Sequence, residues 1–362
     1  MHEWLESLNL LRLSSPTFYI MVFVMSFILG WLGTFFMQWF SRKVGFADIP
    51  STSKFHNSKV ALGGGIPIFL GFIIPIMFVF HFSTQQKGII IGGLVTLILG
   101  LLDDIKKDFI PATVKLSVLF ILTFILTYKY GVMLDLFHKI YLINMIFTLF
   151  WIVGIISAWN ATDNMDGLAG GYTIIASVSF MLVAINMKDW WMAMTAVALA
   201  GSTLGFLPFN FNPKNKIFMG DSGSYFIGYT LAAMGVLGEW TTNSYISCVI
   251  PVLILSIPIF DLSYTVYYRH KTGVTKSIRE SIDHSAPDHL SHRLVALGLS
   301  PVQAVIFLWV LGICLALSGI LLRSSTQIIN TLICLVQAGM VLLLIIILVR
   351  LGETKSESDR SK

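Results

Sequence analysis

Residues 141–171 read YLINMIFTLFWIVGIISAWNATDNMDGLAGG. From Tyr141 to Trp159 the stretch is apolar and uncharged. Asn160, Asp163, Asp166 and Gly167 then follow before a second apolar run opens at Leu168. An apolar segment of about 20 residues is long enough to cross the hydrocarbon of a bilayer as a helix. Two such runs joined by a short acidic turn predict a pair of membrane-crossing helices, with carboxylates held at one membrane face.

Working outward, comparable apolar runs recur at 17–40, 61–81, 88–102, 113–130, 141–159, 168–186, 190–206, 223–240, 246–266, 301–322 and 328–350. The expectation is therefore an all-α polytopic membrane protein with about eleven transmembrane helices. Of the 362 residues 56% are hydrophobic and only 12% charged, half the charge usual for a soluble domain. The formal charge of +5 is not gathered into a basic stripe, which argues against nucleic acid as a partner. Cys248, Cys314 and Cys334 lie inside apolar runs without metal-ligand spacing and read as small buried residues. The first run, from Pro16 to Phe40, is too long for the core of a cleavable signal and reads as a retained span. No internal repeat is visible, so residues 1–350 read as a single membrane-embedded domain, followed by a polar tail at 351–362.

Lys and Arg set the orientation. With the N-terminus on the periplasmic side, the cytoplasmic loops hold Arg42, Lys43, Lys54, Lys59, Lys106, Lys107, Lys214, Lys216, Arg269, Lys271, Lys276, Arg279 and Arg293. The opposite side holds only Arg12, Lys87, Lys129, Lys139, Lys188 and Arg323. An odd number of spans then leaves the C-terminus cytoplasmic. In this orientation the acidic clusters gather at the cytoplasmic face, and ionisable residues at membrane helix ends are functional candidates by default.

Asp103-Asp104, followed by Lys106, Lys107 and Asp108, closes the third run. Adjacent carboxylates suit a divalent cation or a proton acceptor; the plainer reading is a solvated helix end. Asn160, Asp163 and Asp166 are spaced by three, which is one face if helical, although a polar turn ending at Gly167 explains them too. Asp221, between Gly220 and Ser222-Gly223-Ser224, reads either as a helix cap or as an oxygen ligand for Mg²⁺ that leaves room for phosphate. Asp288-His289-Leu290-Ser291-His292-Arg293 lies in the longest cytoplasmic loop and offers imidazoles and a guanidinium for phosphate or proton transfer. Lys54, His56 and Lys59 precede Gly63-Gly64-Gly65, which suits either close backbone approach to a phosphate or helix packing. Acids, bases and glycines at one face add up to a phosphoryl-transfer site.

These motifs resemble the polyprenyl-phosphate N-acetylhexosamine-1-phosphate transferases (glycosyltransferase family 4), which begin teichoic acid, enterobacterial common antigen, O-antigen lipopolysaccharide and peptidoglycan synthesis. The resemblance rests on Asp103-Asp104, Asn160-x-x-Asp163-x-x-Asp166-Gly167, Gly220-Asp221-x-Gly223-Ser224 and the loop at His289, in that order over residues 16 to 350. It implies a transferase that moves N-acetylhexosamine-1-phosphate, GlcNAc-1-phosphate first, from a UDP-sugar to polyprenyl (undecaprenyl) phosphate in the bacterial cytoplasmic membrane. The implied cofactor is Mg²⁺, with Mn²⁺ as substitute, and a homodimer is compatible with the resemblance. Asp221 would hold the metal, while Asp103 and Asp104 would bind or deprotonate the lipid phosphate or assist the metal. Asn160, Asp163 and Asp166 would hold uridine and organise the site, Phe218 would stack on uracil, and Lys59 and Lys115 would lie near the nucleotide. His289, His292 and Arg293 would contact the pyrophosphate or sugar. Ser291 stands where the family loop usually carries another histidine, which keeps UDP-GalNAc or a deoxy-amino sugar open beside UDP-GlcNAc. Phospho-muramoyl-pentapeptide transfer is the nearer alternative. An ion-coupled transporter is the distant one, disfavoured because its acids would lie at mid-membrane.

The shared-face reading has a direct consequence. Cysteines introduced beside Asp103, Asp163, Asp221 and His289 are all expected to react with an impermeant thiol reagent only after the inner membrane is opened. Labelling of any one from the periplasm would separate it from the other three.

Overall fold

The computed structural model describes residues 15–48, 59–78, 82–106, 111–136, 140–213, 215–277, 280–281, 286–325 and 327–360, with 351–360 described by backbone alone. Arg12, Lys54, His56, Lys107, Asp108, Lys139, Lys214 and Arg279 lie outside the described residues. Thirteen helices are present among them: α1 Pro16–Val44, α2 Gly65–Ile76, α3 Thr84–Ile105, α4 Ala112–Tyr130, α5 Tyr141–Thr162, α6 Leu168–Met187, α7 Trp190–Asn210, α8 Gly220–Leu237, α9 Ser244–Ile254, α10 Ser256–Lys271, α11 Leu290–Ala296, α12 Pro301–Leu322 and α13 Ile328–Arg360. One two-residue antiparallel pair, β1 Ala47–Asp48 with β2 Val60–Ala61, closes the segment after α1.

Local sequence explains the helix ends. Pro16 sits in the first turn of α1, Arg42 and Lys43 complement the negative end of its dipole, and Gly45 terminates it at φ 76°. Ser83 with Gln86 and Ser300 with Gln303 form capping boxes that start α3 and α12.

Each of the eleven apolar runs contains a helix. Eight of the helices are long and apolar enough to cross a membrane, and one bent pair brings the number up to nine. Three runs depart from the simple expectation. The run at 61–81 yields only the 12 residues of α2, with Pro75 inside its last turn. The run at 246–266 breaks at Leu255 into α9 and α10, bent by 73°; Pro251 and Pro258 flank the break and remove backbone donors from it. The third is α8, whose 18 residues open on Gly-Asp-Ser-Gly-Ser and are too polar there for an ordinary span. It is buried from Ser222 to Val236, so neighbouring helices rather than lipid surround it.

The bundle is built around α7 and α8. Helix α1 packs on α7 and α2, α3 and α5 flank α8, α6 lies on α7, and α12 lies on α6. Large apolar side chains on α1, α4, α12 and α13 face outward; Leu321 is 71% exposed. That is the arrangement hydrocarbon requires. Small residues bring backbones close where the site will form. A Cβ on Gly65 would lie 2.3 Å from Gly223 N, and one on Gly100 would lie 2.2 Å from Asp221 O. The backbone N–H groups of Gly64 and Gly65 donate to the carbonyls of Phe218 and Met219 at 3.0 Å each. The glycine triplet therefore serves close packing of α2 against the start of α8, which selects one of the two readings the sequence allowed.

Gly100→Ala is expected to push α3 away from the first turn of α8 and to destabilise the protein by about 1–3 kcal/mol, as overpacking does. Gly339→Ala, where an added Cβ meets nothing within 4 Å, should leave the melting temperature in detergent unchanged or slightly raised. Equal melting curves for the two variants would contradict the close contact.

Candidate active site

The first turn of α8 is held from another helix. Gly220 adopts φ +76°, and a Cβ there would lie 2.5 Å from Asp104 Oδ2. Only glycine fits both the backbone and the space. Asp104, near the end of α3, accepts from Asp221 N at 2.9 Å through Oδ1 and from Ser222 N at 3.1 Å through Oδ2. The capping role that the sequence assigns to Asp221 thus belongs to Asp104, which lies 117 residues earlier. A carboxylate at that position satisfies two N–H groups left unpaired by the helix and meets the positive end of its dipole.

With the cap supplied elsewhere, the Asp221 side chain is directed into the site. Asn160 Nδ2, from the last turn of α5, donates to Asp221 Oδ1 at 2.9 Å and to Ser224 Oγ at 3.0 Å. Asp103 lies beside Asp221, near enough for their charges and carboxyl groups to interact. Lys115 Nζ pairs with Asp103 Oδ2 at 2.5 Å, while Asp103 Oδ1 is buried without a hydrogen-bond partner. A buried, unpartnered carboxylate oxygen is costly and is a natural place for a ligand.

The segment from Asp163 to Gly167 is a turn between α5 and α6 rather than a helical face. Gly167 takes φ +78°, and its N–H donates to Asn210 Oδ1 at 2.6 Å. The turn leaves Asp163 on the cavity wall, where loss of water and then the charges of Asp221, Asp104 and Asp166 push its carboxyl well above the usual range. Asp166 instead pairs with Lys216 at 2.8 Å, and the same Nζ lies 5.1 Å from the Phe218 ring centre.

The histidine loop reaches the site from the far side. His289 Nδ1 lies 3.0 Å from Asp261 Oδ2, and Leu290 N donates to Asp261 Oδ1 at 2.7 Å. Burial pulls the His289 imidazole down, but the charge and hydrogen bond of Asp261 outweigh it and hold it above the ordinary histidine range. Burial and the neighbouring His289 pull His292 down to about 4. The loop therefore offers one imidazole shifted toward its cationic form beside one kept neutral, with ring centres 6.4 Å apart. Arg269 binds Asp288 through Nε and a terminal nitrogen at 2.7 and 2.6 Å. Burial opposes ionisation of Asp288, yet the Arg269 bonds and charge keep its carboxyl below the usual range.

A cavity of about 1100 Å³ joins these groups. Its polar end is lined by Asp103, Asp104, Asp163, Asp166, Asp221, Asn160, Lys115, Lys216, Phe218, His289 and His292. Its other wall is apolar, from Leu116, Leu119 and Phe120 of α4 and Phe150 and Val153 of α5. Ten of the twelve residues to which the family resemblance gives a role thus line one space. Lys59 and Arg293 do not. Lys59 is exposed beside β2. Arg293 lies with its guanidinium 3.8 Å from the Tyr268 ring centre and donates from Nε to Asp288 O at 2.6 Å, so it braces the loop. Ser291 is buried and donates to Asn164 Oδ1 at 2.6 Å, which ties the loop to the acidic turn and keeps its hydroxyl off the cavity wall. The residues that sequence reading missed are Lys216, Asp261 and Arg269. Asp261 had a usable signal: it is the lone acid within an apolar run.

Loss of the Asp104 cap should be visible as stability. Asp104→Ala leaves two N–H groups of α8 unpaired, and a cost of about 0.5–2 kcal/mol is expected from helix-capping series. A thermal melt of the detergent-solubilised protein measures it, and an unchanged melt would mean that α8 is capped by something else.

Comparison with known proteins agrees with this architecture. The sequence profile described as Glycosyl transferase family 4 matches residues 87–239, from α3 through α8 and its C-terminal glycine. A protein of Bacillus subtilis (strain 168), named probable undecaprenyl-phosphate N-acetylglucosaminyl 1-phosphate transferase, is 32% identical over 318 residues, 85% of this chain and 86% of its own. The undecaprenyl-phosphate alpha-N-acetylglucosaminyl 1-phosphate transferase of Escherichia coli (strain K12) is 27% identical over 349 residues, 88% of this chain and 86% of its own. A phospho-N-acetylmuramoyl-pentapeptide-transferase of Streptococcus agalactiae is 28% identical over 307 residues, 75% of this chain and 88% of its own. The profile covers the helices that carry Asp103, Asn160 and Asp221, and the similarity to the Bacillus protein spans most of both chains, so this protein belongs to glycosyl transferase family 4.

Proposed function

We propose that the protein transfers N-acetylhexosamine-1-phosphate, GlcNAc-1-phosphate in the first instance, from a UDP-sugar to a polyprenyl phosphate at the cytoplasmic face of a bacterial inner membrane. The observation that carries this reading is a single cavity with a charged end and an apolar wall. A nucleotide-sugar pyrophosphate matches the first and a lipid chain the second. The names of the Bacillus and Escherichia relatives support the choice of GlcNAc, and the Lys/Arg asymmetry supports an orientation with the site facing the cytoplasm.

In the reaction an oxygen of the polyprenyl phosphate attacks the phosphorus nearest the sugar. The bond from that phosphorus to the bridging oxygen breaks, and UMP leaves with the electron pair. Both partners are anions, so charge neutralisation and alignment dominate the task. The donors fit a hard cation such as Mg²⁺, with Mn²⁺ as substitute. Asp221 and the unpartnered Asp103 Oδ1 are carboxylate oxygens, and the described residues hold no cluster of three ligating side chains. Mg²⁺ commonly uses one or two carboxylates and completes its shell with water and substrate phosphates. When bound it would neutralise phosphate charge and polarise the phosphoryl oxygens. Lys115 fixes Asp103, Asn160 fixes Asp221, and His289, on the cavity wall, would donate to a phosphate oxygen. Phe218 would stack on the uracil, and the Asp163 turn would hold the uridine.

The test is release of UMP by purified protein supplied with undecaprenyl phosphate and, at equal concentration, UDP-GlcNAc, UDP-GalNAc and UDP-muramoyl-pentapeptide, followed by mass analysis of the lipid product. GlcNAc-pyrophosphoryl lipid is expected to dominate; a muramoyl-pentapeptide product would reassign the sugar. Asp221→Asn removes one of several crowded negative charges. Turnover should fall to background while the melting temperature holds or rises, and EDTA should silence the parent until Mg²⁺ or Mn²⁺ is restored. Full turnover in EDTA would reject the metal assignment.

A further inference from the structure

The histidine loop is fastened to α10 at two points on that helix, eight residues apart. Asp261 engages His289 and Leu290, and Arg269 engages Asp288 while also donating to Ser281 O at 2.8 Å. Asp261 is 4% exposed and uses both oxygens. One accepts the Leu290 N–H at the start of α11, and the other faces His289 Nδ1. A carboxylate only accepts, so the hydrogen between them belongs to Nδ1. His289 lines the cavity, and with Nδ1 engaged its Nε2 edge is the one available to a ligand. On the opposite side Ser291 ties α11 to Asn164 in the acidic turn. The imidazole is thus gripped from α10 while its helix is anchored to the turn that carries Asp163.

We propose that Asp261 is a positioning residue for the transfer reaction: it fixes the ring orientation and tautomer of His289 so that Nε2 is presented to a phosphate oxygen of the nucleotide-sugar. This rests on the phosphoryl-transfer reading of the cavity. The clamp resembles in its physics the carboxylate partners that orient and charge functional histidines elsewhere. The groups that bear on His289 are Asp261 and Asp288, which favour its cationic form, and Arg269 together with burial, which oppose it; His292 is the adjacent imidazole. Removing the Asp261 charge leaves burial and Arg269 opposed only by Asp288. The cationic form is then lost at lower pH, so the alkaline limb of any activity that needs it moves down.

The experiment compares the full-length parent with D261N, D261E, H289N and the D261N/H289N double variant in detergent. Two readouts are taken: lipid-product formation against pH, and the pH dependence of diethylpyrocarbonate modification of His289, followed by peptide mass spectrometry. The reagent attacks neutral imidazole, so the modification midpoint tracks the His289 proton without requiring turnover. For D261N a fall in kcat on the order of 10–100-fold is expected, by analogy with removal of the partners that orient metal-ligating histidines. The KM for lipid should be unchanged, and both midpoints should move to lower pH. D261E, which keeps the charge, should retain the parent midpoint and recover much of the rate, and the double variant should be no slower than H289N. A folded D261N with the parent midpoint, or losses that multiply in the double variant, would overturn the assignment. Should D261N fail to give monodisperse protein, D261E with a lowered midpoint would overturn it equally. If the parent makes no lipid pyrophosphate, the reaction assignment fails, while the modification midpoints still decide the clamp.

Discussion

Five carboxylates, from Asp103, Asp104, Asp163, Asp166 and Asp221, line one cavity at one end of the helical bundle, Asp103 buried and the other four half-buried. Their mutual repulsion and desolvation form the constraint around which the neighbouring structure is arranged. Each has a different compensation. Asp103 has Lys115, Asp166 has Lys216, Asp104 has the backbone N–H groups and dipole at the start of α8, and Asp221 has Asn160. The Asp163 carboxyl, partly desolvated and facing the charges of Asp221, Asp104 and Asp166, is shifted upward. An isolated buried charge is costly, so stability does not account for such a cluster. A cluster left partly unneutralised, with one oxygen of Asp103 unpartnered, favours a cation when one is supplied.

Holding the cluster together requires unusually close backbones. The N-terminal turn of α8 is touched by Gly65 from α2 and Gly100 from α3, and Gly220 makes room for Asp104. A methyl group at any of the three would displace a helix by more than the slack in a charge-assisted hydrogen bond. The glycines thus act one step away from chemistry. Gly65 and Gly100 pack backbone on backbone, Gly220 lines the cavity, and together they fix how far apart Asp103, Asp104 and Asp221 stand. The broken pair α9 and α10 does comparable work on the opposite wall, because the bend at Leu255 sets the course of the helix from which Asp261 and Arg269 grip the histidine loop.

The cavity therefore has two chemically distinct ends supplied by different kinds of structure. Its polar end is assembled from helix termini and turns, where backbone donors and side-chain charges are available without unsatisfied groups in hydrocarbon. Its apolar wall comes from the mid-portions of α4 and α5, which also turn large side chains outward. The proposed phosphoryl transfer between a water-soluble nucleotide and a lipid would need both surfaces within reach of one phosphorus atom, and this cavity has both.

Much of this was legible in the sequence because its signals are local. Apolar runs of spanning length gave the helices, and acids at their ends marked the face that carries the site. Ten of the twelve residues to which the family resemblance gives a role do line one cavity. What the sequence could not supply were relations between distant segments. The same Gly-Asp-Ser sequence suits a self-capped helix or one capped by Asp104 from 117 residues away, and only packing of α3 against α8 decides between them. Lys59 and Arg293 looked equivalent to other basic residues near the motifs, yet one is exposed beside a strand and the other stacks on Tyr268. Asp261 stands out as the lone acid of its apolar run, but its partner His289 lies 28 residues later, so the run alone does not say what it holds. Hydrophobic periodicity and helix-end chemistry follow from neighbours in the chain, so the sequence by itself determined the helices, their ends and the inventory of reactive groups. Which carboxylate caps a helix, which holds a histidine and which is left for a ligand depends on distances across the bundle, and those were decided only by tertiary packing.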